Sequence, residues 1–302
     1  MALNRYNLKK WIKMFLKKSD LHVNQGIGQF MSVDDVGGYY NDFRGKVNFS
    51  KKTDYNELPL TMLENGKSVL FPTAIFQFGL GLYDLYLETH DLKYKNSFIK
   101  FSDWAVSSQE INGAWNNFYF SMPQHPYSCM SQGEGASLLA RTYILTKESK
   151  YLRSALLAID FMLIDKKNGG VSDYENDQLV LLEYTNKSVV LNGWIFGIFG
   201  LVDIMKISDN QKYRDAFMNT IDTLKIKLKD FDNGFWSTYD LSRKTISSRF
   251  YHQLHISQID ALYQLTNDRV FKNYFLLFKK YDRNYINRTK AFFVKAKQKI
   301  YE

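Results

Sequence analysis

Eight stretches between residues 70 and 283 place apolar residues at helical spacing, and short polar turns join them two by two. They run near 72–89, 94–110, 128–147, 150–166, 189–207, 211–229, 251–266 and 269–283. Thr89-His-Asp91, Thr146-Lys-Glu-Ser149, Ser208-Asp-Asn210 and Thr266-Asn-Asp268 supply the turns within pairs. Three pairs end in a Gly-containing hairpin, at Gly113-Ala-Trp115, Gly169-Gly-Val171 and Gly234-Phe-Trp236, spaced 56 and 65 residues apart. Repeats of that length are stacked units that cannot bury their apolar faces alone. The linkers are unequal: three or four residues on one side of each pair, 10–20 polar and aromatic residues on the other. That asymmetry predicts a mainly α chain folded as an (α/α) toroid of about four helix pairs, rather than a uniform TPR-like solenoid. Residues 23–70, punctuated by Gly26, Gly28, Gly37 and Gly38, read as a few strands or an irregular arm, with Lys46-Val-Asn-Phe-Ser50 as one such run. The expected organisation is a basic amphipathic helix plus arm over 1–70, then a toroid over 71–302 with a basic C-terminal tail.

Charge narrows the classes of partner. The net charge of +9 sits at the ends: residues 1–22 carry six Lys/Arg against Asp20, residues 288–302 carry five against Glu302, and the body between is neutral. A neutral body argues against a nucleic-acid groove. A single cysteine, Cys129, excludes a disulfide framework and a cysteine zinc site; it reads as a small buried residue. No run of 18 apolar residues exists to span a membrane. Residues 4–18 space Leu8, Trp11, Ile12, Phe15 and Leu16 among lysines, without the unbroken apolar stretch and cleavage site of a signal peptide. The expected location is cytoplasmic. The 4–18 segment is read either as a helix packed on the domain or as an interfacial helix on the inner face of an anionic membrane.

Four blocks carry a resemblance. They are Phe71-Pro-Thr-Ala-Ile-Phe-Gln77-Phe-Gly79-Leu-Gly-Leu-Tyr83-Asp, with Phe101-Ser-Asp-Trp104 after it; Tyr127-Ser-Cys-Met-Ser-Gln132-Gly133-Glu; Leu182-Glu183-Tyr184 followed by Val190-Leu-Asn192-Gly193; and Gly234-Phe-Trp-Ser-Thr-Tyr239-Asp240-Leu followed by Tyr251-His252-Gln-Leu-His255. Together, in this order, they resemble the C-terminal domain of the D-glucuronyl C5-epimerase family. The resemblance implies an (α/α) toroid that inverts carbon 5 of glucuronate in a polymer, converting D-glucuronate to L-iduronate by removing and returning a proton. It implies no cofactor and an anionic uronate polysaccharide, such as a heparosan or capsule chain, as partner; it also allows a homodimer. The catalytic groups it implies are Glu183, Tyr184 and Tyr251. The sequence departs from the family in a shorter joint between Glu-Tyr and Leu-Asn-Gly, in Ser242 where the family has Arg (Arg243 follows), and in Ser131 before Gln132-Gly133.

Such chemistry sets requirements. Removing the hydrogen alpha to a carboxylate leaves an enolate whose charge must be stabilised; Arg243, Arg249, His252 and Asn192 are the candidates to hold the carboxylate, with Gln132, Tyr239 and Tyr127 as further substrate contacts. Inversion needs acid/base groups on opposite faces of the ring. A tyrosine near its ordinary pKa of roughly 10 is a poor base at neutral pH, so Glu183 or Tyr184 is expected on one face and Tyr251 on the other. Without the resemblance, Glu183 would read as a solvated loop residue and Tyr251 as packing. His252 and His255 lie three apart but lack a further ligand cluster, so no metal is expected. Trp104, Trp115, Trp194 and Trp236 read as core, and Asp34-Asp-Val-Gly-Gly38 as a turn.

Competing readings are a uronate lyase, a toroid hydrolase drawing two carboxylates from Glu134, Glu183 and Asp240, and a non-catalytic glycan-binding protein. Deleting residues 1–18 is expected to weaken sedimentation with anionic vesicles or long polymer while sparing exchange on short substrates. Loss of exchange on short substrates as well would assign that segment to the fold.

Overall fold

Helix α1 (Arg44–Phe49) leads into four helical hairpins: α2 (Pro72–Thr89) with α3 (Leu92–Ser108), α4 (Cys129–Thr146) with α5 (Ser149–Met162), α6 (Leu191–Ile207) with α7 (Gln211–Lys227), and α8 (Arg249–Thr266) with α9 (Arg269–Arg283). The computed structural model describes residues 22–50, 55, 57–63 and 65–301, so the 4–18 segment lies outside the described residues. The tight turns have a local cause. His90, Lys147 and Asn267 end α2, α4 and α8 in the left-handed region, at φ 56, 59 and 52°. Asp91, Asn210 and Asp268 then cap the next helix by accepting a backbone N–H two residues on. The three hairpin glycines, Gly113, Gly169 and Gly234, share a positive φ of 90, 84 and 83°.

The first helix of each pair faces inward. Helix α6 buries every residue from Leu191 to Ile204, whereas α9 buries only Phe271 and Phe278. Each inner helix packs on the next, α2 on α4, α4 on α6 and α6 on α8, with its outer partner behind it. This is the expected (α/α) toroid of four pairs. The tightest inner contact is backbone on backbone. A Cβ on Gly200 would lie 2.4 Å from the Gly133 Cα, and one on Gly133 would lie 2.4 Å from the Phe196 carbonyl oxygen. Trp115, Trp194 and Trp236 are buried, their indole N–H groups donating to Ala105 O, Thr220 Oγ1 and Ser247 O. Trp104 is half-buried against Phe76. Cys129 is fully buried.

The arm closes one rim. Tyr39, Tyr40 and Phe43 belong to the same apolar core as the inner helices. The Tyr39 N–H donates to Asp84 Oδ1 at 3.0 Å, and the Tyr40 hydroxyl to Asp203 Oδ1 at 2.8 Å. The fully buried Arg141 donates to Asp203 Oδ2 at 2.6 Å and to the Gly38 carbonyl at 3.0 Å, and stacks on both tyrosine rings. Asp84, Arg141 and Asp203 all lie toward the C-terminal ends of inner helices, so the arm seals the short-turn rim. The rim of long loops is the other one. Two-stranded hairpins rise from it: β3 (Ser172–Glu175) with β4 (Gln178–Leu181), and β5 (Thr238–Asp240) with β6 (Thr245–Ile246). The first hairpin, β1 (Leu60–Met62) with β2 (Ser68–Leu70), belongs to the segment before α2.

Two expectations are corrected. The 46–50 run is not a strand: Lys46 to Phe49 lie in α1 and Ser50 caps its end, because Val47 docks on α2 at Gly81, where a Cβ would come within 3.0 Å of the Val47 side chain. The basic C-terminal stretch is not a tail but helix α10 (Tyr285–Tyr301), whose Ala291 is buried and whose Gln298 Oε1 accepts the Ile246 N–H at 3.1 Å. Its exposed apolar residues, interrupted by lysines, hide the stripe that periodicity looks for.

Arg141→Ala strands the Asp203 charge in a dry interior and is expected to cost about 3–5 kcal/mol in urea unfolding. The Arg141→Ala/Asp203→Ala pair should cost less than the two single losses added together.

Candidate functional site

The long-loop rim gathers the Glu183 carboxyl with three phenolic side chains. Chain leaving β4 is pinned at Leu182, whose N–H donates to Val171 O at 2.8 Å and whose carbonyl accepts the Cys129 N–H at 2.9 Å. Glu183 is thereby delivered to the N-terminal ends of α4 and α6. Its side chain lies flat on Gly193, where a Cβ would sit 2.4 Å from the carboxylate Oε2; the Leu-Asn-Gly block needs its glycine for this close approach. Tyr184 stacks on Phe118 at 4.9 Å with rings 16° from parallel, and the Lys187 ammonium lies 4.5 Å from its ring centre. A bridge between Val190 and Asp240, with the Leu241 N–H donating to Val189 O, brings β5 and Tyr239 to the start of α6. Tyr251 is the third residue of α8, held by the Ser248 cap, which accepts its N–H. The Tyr251 ring lies 4.8 Å from Tyr239, with Phe250 and His22 against its other edges at 5.1 and 5.9 Å.

Burial sets the electrostatics. Glu183 is 6% exposed and its Oε2 has no protein partner. Burial raises its carboxyl to about 7, with Tyr184 and Lys187 pulling the other way. Burial and the Glu183 charge push the Tyr184, Tyr239 and Tyr251 hydroxyls well above the ordinary phenol range; for Tyr251 the adjacent Tyr239 hydroxyl partly offsets this. The cluster therefore combines a carboxyl that can gain or lose a proton near neutrality with three neutral proton donors.

The remaining expected residues divide. Asn192 is buried at the start of α6 beside Gly193, its Oδ1 unpartnered and its carbonyl accepting from Gln258 Nε2 at 3.1 Å. Gln132 is committed to the scaffold: Oε1 accepts the Trp115 N–H, and Nε2 donates to Gly113 O and Ala158 O. The Tyr127 hydroxyl donates to Glu110 Oε2 at 2.7 Å. His252 stacks on Trp236 at 3.7 Å; Nδ1 accepts the Ser237 N–H, leaving Nε2–H to donate to Phe278 O. Burial lowers this imidazole to about 4, so it is neutral. Arg243 is exposed in the β5–β6 turn and Arg249 is exposed and paired with Asp282. The structure thus brings Glu183, Tyr184, Tyr239 and Tyr251 together, with Asn192 next to Gly193 at the start of α6, and leaves Gln132, Tyr127, His252, Arg243 and Arg249 outside that cluster. Sequence reasoning missed Lys187, a cation within electrostatic reach of Glu183; its position four residues after Glu183 was the available signal. It also missed Phe118, which nothing local marks.

Because Glu183 binds its proton more tightly folded than unfolded, the stability it contributes falls as pH rises from 4.5 to about 7. Glu183→Gln keeps the neutral form throughout. The variant should gain stability over the parent across this window, by up to about 3 kcal/mol at pH 8, and match it closely at pH 4. Urea unfolding at both pH values checks this; a pH-independent difference would contradict a buried, titrating carboxyl.

The family model for the D-glucuronyl C5-epimerase C-terminus matches residues 104–280, more than half of the chain and all of the rim cluster except His22. The D-glucuronyl C5-epimerase of Caenorhabditis elegans is 26% identical over 206 residues, covering 59% of this chain and 33% of the relative. An uncharacterized protein of Methanocaldococcus jannaschii is 28% identical over 139 residues, covering 44% of this chain and 45% of its own. The chain thus spans between a third and a half of the length of these relatives. Among solved structures, an α-1,6-mannanase of Salegentibacter sp. HEL1_6 aligns over 70% of this chain and 62% of its own, with 13% identity and a TM-score of 0.48, a likeness that bears on neither substrate nor reaction.

Proposed function

The chain belongs to the D-glucuronyl C5-epimerase C-terminus family, and from that premise we propose that its rim site inverts carbon 5 of D-glucuronyl residues in an anionic polysaccharide, giving L-iduronyl residues. The observation that carries this reading is the burial of Glu183, with its carboxyl at about 7, within the electrostatic reach of three neutral phenols. The Glu183 carboxylate takes the carbon 5 hydrogen as a proton, and the electrons of that C–H bond pass into the substrate carboxyl group as an enolate. The Tyr251 hydroxyl returns a proton to the opposite face, carbon 5 regains four bonds, and solvent restores the protonation of both side chains. Electrons neither enter nor leave, so the step balances without an oxidant. We assign the enolate charge to Asn192, one of the four candidates the sequence offered with Arg243, Arg249 and His252, and to Lys187, which lies within electrostatic reach of Glu183. Burial keeps the Tyr251 hydroxyl protonated, so a proton is present there to be donated and the group is not a base at neutral pH.

Incubating the protein in deuterated water with heparosan-type oligosaccharides tests this. NMR should show deuterium entering carbon 5 and iduronate appearing without chain shortening. Glu183→Gln and Tyr251→Phe should each slow exchange by about 10²-fold or more. New unsaturated ends would mean a lyase and new reducing ends a hydrolase; full exchange by both variants would remove these residues from the chemistry.

A further inference from the structure

Helix α10 turns an apolar stripe outward. Tyr285, Ile286 and Phe293 are 73, 73 and 66% exposed. Ile286, Lys290, Phe293 and Lys297 follow a 4-3-4 spacing, which sets them along one face of the helix. Lys290 and Lys297 are exposed, and no acidic residue occurs between Tyr285 and Tyr301. The opposite face is the one that packs: Ala291 is buried, and Gln298 is bonded to β6. Among the described residues, Ile286 and Phe293 are not part of either apolar core cluster.

We propose that this face of α10 is a docking surface for an anionic lipid bilayer. An apolar stripe bordered by lysines, with no acidic residue, is the pattern of a helix lying in the headgroup boundary, its rings among the upper acyl chains and its ammonium groups at the phosphates. A soluble polyanion would be met by the charges but leaves Ile286 and Phe293 without a role, so the bilayer is the occupant the residues favour. The position matters as well. Helix α10 packs on β6, and β6 pairs with β5, the strand bearing Tyr239; Lys290 lies 4.0 Å from the ring centre of Phe235, just before β5. Docking through α10 keeps the long-loop rim close to the lipid surface.

Sedimentation of the full chain with vesicles of phosphatidylglycerol in phosphatidylcholine tests this, with pure phosphatidylcholine and a soluble uronate polymer as comparisons. The parent should bind the anionic vesicles, and bind them less at high salt. Each basic residue near such a surface contributes about fivefold, so Lys290→Glu/Lys297→Glu should weaken vesicle binding at least tenfold. Ile286→Glu/Phe293→Glu should do the same, with Ile286→Ser/Phe293→Ser as the milder pair should the first lower the thermal midpoint. An absence of parent binding, or variants that bind vesicles as the parent does, would overturn the proposal. So would variants that lose only the soluble polymer, which would make the face a polymer track.

Discussion

Inner helices α4 and α6 touch backbone to backbone, and the rest of the structure depends on that contact. Gly133 and Gly200 leave no room for a side chain between them, so the two helices approach closely along their length. One consequence lies at the rim: the N-terminal ends of α4 and α6 come together where the Leu182 carbonyl meets Cys129 and the Glu183 side chain lies on Gly193. Another lies at the closed end, where Arg141 of α4 reaches Asp203 of α6. A wider spacing would separate the ion pair and leave Glu183 in water as an ordinary surface carboxylate.

The two rims treat buried charge differently. At the closed rim the two Nη groups of Arg141, the Asp203 carboxylate, the Tyr40 hydroxyl and the Gly38 carbonyl bond one another, a network that fixes the arm against the helices, although Arg141 Nε and the Tyr39 hydroxyl are buried without a partner among the described residues. At the long-loop rim the carboxyl and amide groups are less completely matched: Glu183 Oε2, Asn192 Oδ1 and Gln258 Oε1 are buried without a protein partner. Groups left in that condition cost stability and are suited to a substrate that brings the missing partners. The raised carboxyl of Glu183 follows from the same burial.

Much of this was legible in the chain. Apolar periodicity and the alternation of short and long linkers carry the toroid, because each helix must bury one face and only the inner member of a pair can bury both. The Glu-Tyr and Tyr-His blocks mark Glu183, Tyr184 and Tyr251. Nearness to a motif in the chain does not place the two arginines in the Glu183 cluster. Arg249 instead sits on the exposed start of α8 against Asp282, and Arg243 at a turn tip. Helix α10 was missed because its apolar residues face outward, where a periodicity argument finds no core to assign them to.

The sequence by itself determined the helical pairs, the turns that join them and the chemical types available at the rim, since these depend on residues near one another in the chain. Only the tertiary structure decided which groups share a pocket and which protonation they hold. His252 became a packed, neutral scaffold residue because Ser237 and Phe278 take both its nitrogens, partners 15 and 26 residues away. Glu183 acquired a carboxyl poised near neutrality because strands and helices far apart in sequence close over it and exclude water. Burial is a property of the assembled surfaces, and no local stretch of residues encodes it alone.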